Sequence, residues 1–247
     1  MSESKSNNHS PSTAFVETRQ SVILQARLRS QQAVKPVWVS PSLERSRRPA
    51  AAPVRDDALA LALRLERALA AEPSIVVLSG LRSHAGVSTA AIELARTFAR
   101  SHPEPVLLVD ANLRRPTLAA KLGIPPGPGL SEVVQREATI DDVIHELEPG
   151  SLYAIPAGEP GERPASILAS SDCIELLRSL RFHFGQIFLD TAPLGTFVDG
   201  AFLAAQAQYV VLFVERGRHQ RSEVRQIVRE LKAVGVHGVG LCLSTSR

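Results

Sequence analysis

Beyond residue 55 the chain alternates between short continuous apolar runs and stretches whose apolar positions recur with the period of a helix. The runs predict buried strands over residues 74–79, 105–110, 152–156, 186–190, 236–243 and the segment YVVLFVE that starts at Tyr209. The periodic stretches predict helices over 56–71, 88–100, 130–134, 140–144, 174–180, 200–206 and 222–233. Asp56 and Asp57 open the first helix, where its dipole favours acidic residues. A strand that is apolar on both sides of its pleat must be covered on both faces. The alternation therefore predicts an α/β fold, a doubly wound and mostly parallel sheet with helices on both faces. Ligands of such sheets sit at the carboxyl ends of the strands.

Residues 1–55 read differently. They are rich in Ser, Pro, Gln and Arg, lack sustained periodicity, and are predicted to be a disordered basic tail ahead of a domain spanning 56–247. Two islands interrupt the tail: a short amphipathic stretch from Phe15 to Arg29, and Val37-Trp38-Val39 with the only tryptophan. The net charge of +3 divides unevenly. The tail carries nine Lys or Arg against three Glu, which leaves 19 basic against 22 acidic residues beyond it. The basic excess of the tail suits an anionic lipid or another acidic surface. Its aromatics are not interleaved with the charges, so nucleic acid is not an expected partner. Nowhere do about 18 apolar residues run uninterrupted, and MSESKSNNHSPST lacks an apolar signal segment, so a cytoplasmic protein is expected. Two cysteines, Cys173 and Cys242, suit a reducing compartment and form no metal-ligand spacing.

The candidate chemistry lies in IVVLSGLRSHAGVSTAAIELA, residues 75–95. A buried strand, a glycine-bearing turn and Ser88-Thr89 at the start of an alanine-rich helix is the arrangement that cradles a nucleoside triphosphate. Val87 stands where such a loop places its lysine. Asp190 ends another buried strand, where a carboxylate beside a phosphate loop holds magnesium together with the Ser88 hydroxyl; capping of a loop is the bland alternative. Asp110 ends a third and opens DANLRRPTL. The forked guanidinium groups of Arg114 and Arg115 suit either phosphate or the carboxylates of a neighbouring subunit, with a solvated surface pair as the alternative.

Four blocks, VLLVDANLRRPTL, GIPPGPGLSEVV, LYAIPAGEPGERPASIL and IFLDTAPLGTFVDGAFLAAQAQYVVLFVERG, occur in that order. Together they resemble the cytoplasmic domain of the bacterial tyrosine autokinases of capsule and exopolysaccharide synthesis. That family belongs to the deviant P-loop superfamily, which also holds the Min and Par positioning ATPases. The resemblance covers residues 56–247 and implies ATP bound at Gly80, Arg82, Gly86, Ser88 and Thr89. It implies magnesium on Ser88, Asp110 and Asp190, with the two carboxylates in the catalytic roles. As partners it implies a chain-length-determining membrane protein of polysaccharide export and further copies of the chain, with Arg114 and Arg115 at such contacts. The expected location is the cytoplasmic side of the inner membrane.

Four departures from the family pattern stand out. Val87 replaces the loop lysine, Asn112 replaces the second acid of the D-x-D motif, and Ser83-His84 replaces the Pro-Gly that opens the tight turn. The sequence ends at Ser246-Arg247 without a tyrosine cluster. A charged hydrogen bond like that of the lysine is worth about 1.5–3 kcal/mol, and loss of a preorganised group facing developing charge costs about 10²–10³ in rate. Among Lys5, Lys35, Lys121 and Lys232 none is expected to stand in, whereas Arg82 occupies the place of the extra lysine of the positioning ATPases. If position 84 needs a positive φ, His84 reshapes the loop. The expectation is a catalytically impaired member acting as a regulator or scaffold, with ATP and magnesium held weakly or lost. The alternatives are an active tyrosine kinase or ATPase that relies on Arg82, and a Min- or Par-like positioning ATPase.

Overall fold

The computed structural model describes residues 56–69, 73–83, 86–215 and 217–244. The tail over 1–55, with both of its islands, and His84 lie outside the described residues. The strands are β1 (Ser74–Gly80), β2 (Val106–Ala111), β3 (His145–Glu148), β4 (Leu152–Ile155), β5 (Gln186–Thr191), β6 (Tyr209–Glu215) and β7 (Gly238–Ser244). The helices are α1 (Asp56–Ala68), α2 (Val87–Ser101), α3 (Leu118–Leu122), α4 (Leu130–Val134), α5 (Ile140–Val143), α6 (Pro164–Leu168), α7 (Ser171–Leu180), α8 (Asp199–Ala204) and α9 (Arg221–Ala233).

One seven-stranded sheet has the order β3-β4-β2-β5-β1-β6-β7. Every pairing is parallel except β3 with β4. The doubly wound, mostly parallel architecture expected from the alternation is the one observed. Every residue of β1 and β2 is buried, because helices cover both faces. Ile75 and Val77 point into one core with α4, α7 and α9, while Val76 and Leu78 point into the other with α1 and α2. In the second core Phe98 of α2 meets Phe188 of β5 edge to face, with centroids 5.2 Å apart.

Three elements went unpredicted: β3, α3 and α6. The β3 sequence HELE is polar and half-exposed at a sheet edge, so it carries no apolar run. Both α3 and α6 span five residues, too short for a helical period to emerge, and α6 starts at Pro164 inside a Gly/Pro-rich segment.

The Pro-Gly segment before α4 is fastened to the chain after β4. Leu130 N–H donates to the Pro156 carbonyl at 2.8 Å, and Glu132 accepts from the amides of Gly129 and Glu159, each at 2.7 Å. Two blocks distant in sequence thus form one rigid corner. The register places Leu78 and Asp110 each opposite Asp190 on the β5 strand between them, so both carboxylates sit at the carboxyl edge of the central strands, on the α2 side.

Candidate functional site

The loop that leaves β1 is anchored before it turns. Ser79 Oγ donates to the Ala192 carbonyl at 2.9 Å and accepts from Leu194 N–H at 3.1 Å, while Leu194 N–H also reaches the Gly80 carbonyl at 3.0 Å. The segment after β5 is thereby tied to the end of β1. Gly86 precedes α2 at φ 73° and ψ 15°, the left-handed conformation that glycine takes without strain. Among the described residues no side chain caps α2, and its first internal hydrogen bond runs from Ala90 N–H to the Gly86 carbonyl. The amides of the first turn therefore have no acceptor within the helix, and the positive end of a 15-residue helix is presented to the cavity beside it.

That cavity has a volume of about 730 Å³, within the range of about 300–1,000 Å³ that small-molecule sites occupy. Gly80, Arg82, Gly86, Ser88, Thr89 and Asp190 all line it, together with Asn112, Arg114 and Arg115. Val87 is half-buried and packs against the α1–α2 core, so its position contributes a backbone amide and apolar contact but no charge.

Asp190 is 1% exposed, and neither of its oxygens has a hydrogen-bond partner of good geometry among the described residues. Burial, followed by the charge of Asp110, pushes its pKa up to about 7; the nearby Ser88 hydroxyl and the positive charge of Lys121 act in the opposite direction. A buried carboxylate in this condition either takes a proton or faces a cation supplied from outside the chain. The oxygen donors of Asp190 and Ser88 suit a hard cation such as magnesium. No cluster of three or more His, Cys, Asp or Glu exists among the described residues. Most ligands of such an ion would therefore be water or phosphate oxygens, which magnesium accepts readily.

Asp110 is fully buried but engaged differently. Its Oδ1 accepts from Asn112 N–H at 3.2 Å, and its Oδ2 from the amides of Thr117 and Leu118 at 3.0 and 2.9 Å. It stands behind the cavity wall, closing the 112–117 loop and seating the start of α3. Burial raises its pKa to about 6 against the lowering effect of those amides. The expected magnesium set of Ser88, Asp110 and Asp190 thus separates into two groups that face the cavity and one that shapes it.

The cations also differ from expectation. Arg114 finds its carboxylate within its own chain: Nε and Nη2 meet the two oxygens of buried Asp199 at 2.5 and 3.1 Å, and the guanidinium lies 4.3 Å from the centre of the Phe197 ring. Arg115 N–H donates to Asn112 Oδ1 at 3.3 Å. Arg82 directs its guanidinium toward Glu223 of α9 at 3.6 Å. The expectation that no lysine stands nearby is corrected, because Lys121 lines the cavity and its Nζ donates to Thr89 Oγ1 at 3.0 Å. Thr117 lines the cavity too, and its hydroxyl donates to Ser88 Oγ at 2.9 Å. The signal for both was their four-residue separation, which sets Thr117 at the cap of α3 and Lys121 one turn further along, once that helix is recognised.

No protein-family model matches the chain. It is similar to the tyrosine-protein kinase CpsD of Streptococcus agalactiae, 25% identical over 174 residues that cover 70% of this chain and 76% of that one. EpsB of Ralstonia solanacearum is 31% identical over 164 residues, 66% of this chain; the chain spans only 22% of EpsB. Among solved structures, the kinase domain of the Escherichia coli tyrosine kinase ETK superposes with a TM-score of 0.70 at 25% identity, covering 77% of this chain and 75% of that one.

Proposed function

From the premise that this chain is a relative of the bacterial tyrosine autokinases, in the superfamily of deviant P-loop ATPases, we propose that it is a catalytically impaired member of that group. It holds a nucleoside triphosphate weakly, and it acts through contacts as a regulator or scaffold of exopolysaccharide or capsule synthesis and export. The observation that carries the reading is Val87. The first residue of α2 lines the cavity with an apolar side chain, packed against the α1–α2 core, where phosphate transfer needs a cation.

Magnesium, when bound with the nucleotide, would neutralise phosphate charge at Asp190 and Ser88. The chain's own groups do the rest. The first-turn amides of α2 and Gly86 receive phosphate oxygens, and Thr117 orients the Ser88 hydroxyl. Asp110 holds the far wall of the cavity in shape through its backbone bonds. Asn112 faces the cavity in place of an acid, and a neutral amide cannot take a proton from an attacking hydroxyl.

The pairing of Arg82 with Glu223 speaks against an active kinase that relies on Arg82 in place of the loop lysine. The tyrosine-kinase likeness also speaks against a positioning ATPase. The partners in this reading are a chain-length-determining membrane protein and further copies of the chain, met at the cytoplasmic face of the inner membrane. No helix among the described residues is long and apolar enough to cross a membrane. The basic excess of the tail suits an anionic lipid surface.

Incubation of the protein with magnesium and γ-labelled ATP, followed by nucleotide titration and mass spectrometry for phosphotyrosine, tests the proposal. Weak saturable binding without phosphotyrosine is the expected result. Phosphotyrosine that forms with magnesium and disappears in Asp190→Ala would sink it.

A further inference from the structure

Lys121 is a cation that lines the cavity although position 87 carries none. It projects from the last turn of α3 across to the first turn of α2, so that Nζ rests 3.0 Å from Thr89 Oγ1 beside amides that have no acceptor within the helix. Its partner there is a neutral hydroxyl, and among the described residues no carboxylate forms a salt bridge with it. By contrast Arg114 is held by Asp199 and Arg82 by Glu223. The ammonium has two further N–H donors, in a cavity that Asp190 also lines.

The support beneath Lys121 is rigid. Asp110 receives the Thr117 and Leu118 amides that start α3, and the Thr117 hydroxyl bridges to Ser88. Thr117–Ser88 and Lys121–Thr89 thus form two successive rungs between α3 and α2, which hold the exposed Lys121 ammonium beside the helix end. Resting on the nucleotide reading above, we infer that Lys121 replaces the missing loop lysine as the cation that neutralises the terminal phosphates of a bound nucleoside triphosphate. The charge comes from a different element of the fold, so it serves ground-state binding without occupying the position beside the transferring phosphoryl group that Val87 has vacated.

The experiment is an equilibrium titration of the full chain with a fluorescent ATP analogue and magnesium, with inorganic triphosphate as competitor. Lys121→Met keeps the aliphatic stem and removes the charge, Lys121→Arg restores a charge, and Lys232→Met removes one from the exposed face of α9, outside the cavity lining. Lys121→Met is expected to weaken nucleotide binding about 10- to 100-fold, the range of a charged hydrogen bond. Lys121→Arg should recover most of that loss, Lys232→Met should bind as wild type, and triphosphate should compete less well against Lys121→Met. The unfolding midpoint of ligand-free Lys121→Met should match wild type, since the bond Lys121 makes among the described residues is an exposed one to a hydroxyl. Wild-type affinity in Lys121→Met would overturn the inference and leave the nucleotide reading standing. Absence of any wild-type binding at millimolar nucleotide would overturn both together.

Discussion

Asp190→Asn should make the ligand-free protein relatively more stable as the pH rises. Folding moves the Asp190 carboxyl from its ordinary 3.8 to about 7, chiefly through burial. The folded protein therefore binds this proton more tightly than the unfolded chain does. That contribution to stability is fully present below about pH 4 and is lost progressively as the pH rises through about 7. The shift of roughly three units at about 1.4 kcal/mol each sets a ceiling of about 4 kcal/mol, and relaxation around the ionised group lowers the observable to about 2–3 kcal/mol. Asparagine has no charge to desolvate but leaves an amide donor unpaired, which costs about 1–3 kcal/mol at every pH. The informative quantity is thus the change in the difference between variant and wild type, not its value at one pH. Urea unfolding at about pH 5 and about pH 8, a window that spans only part of that total, should show the difference moving by about 1–2 kcal/mol in favour of the variant. An unchanged difference would refute the claim that Asp190 is an unpaired buried acid. Magnesium with nucleotide should remove much of the wild-type pH dependence, because a bound cation supplies what the carboxylate lacks.

Other expectations follow from single contacts. Asp110→Ala removes the acceptor of the Asn112, Thr117 and Leu118 amides and should cost about 2–4 kcal/mol, with hydrogen exchange at Thr117 and Leu118 rising first. Arg114→Ala leaves Asp199, 1% exposed, without its ion-pair partner and should lower stability in urea by about 2–3 kcal/mol, most of which returns in the double variant with Asp199→Ala. A Cβ at Gly195 would lie 2.4 Å from the Leu81 carbonyl oxygen, so Gly195→Ala should cost about 1–3 kcal/mol and weaken nucleotide binding by displacing the start of the loop.

The sheet was legible because its central strands are buried on both faces and read as unbroken apolar runs, and because SGLRSHAGVST has the composition of a phosphate loop. What escaped was local or depended on pairing across the fold. The HELE strand is polar because it lies at an edge, and the helix that carries Lys121 is too short to show a period. Arg114 invited an intermolecular reading because Asp199 lies 85 residues away, and nothing in the sequence near Arg114 points to it. The two strand-end acids look equivalent in sequence, yet one closes a loop through backbone amides while the other faces the cavity without a hydrogen-bond partner of good geometry among the described residues. Hydrogen bonding separates their roles, and sequence position does not reveal it.

The central claim is that a missing loop cation leaves the site able to hold a nucleotide but poorly able to act on it. Steady-state ATP hydrolysis by wild type, Asp190→Ala and Val87→Lys, measured side by side, tests this most directly. Wild type should not rise above the Asp190→Ala background, whereas Val87→Lys should gain about 10²-fold or more as the charge returns to the start of α2. Wild-type hydrolysis well above that background and equal to Val87→Lys would contradict the account.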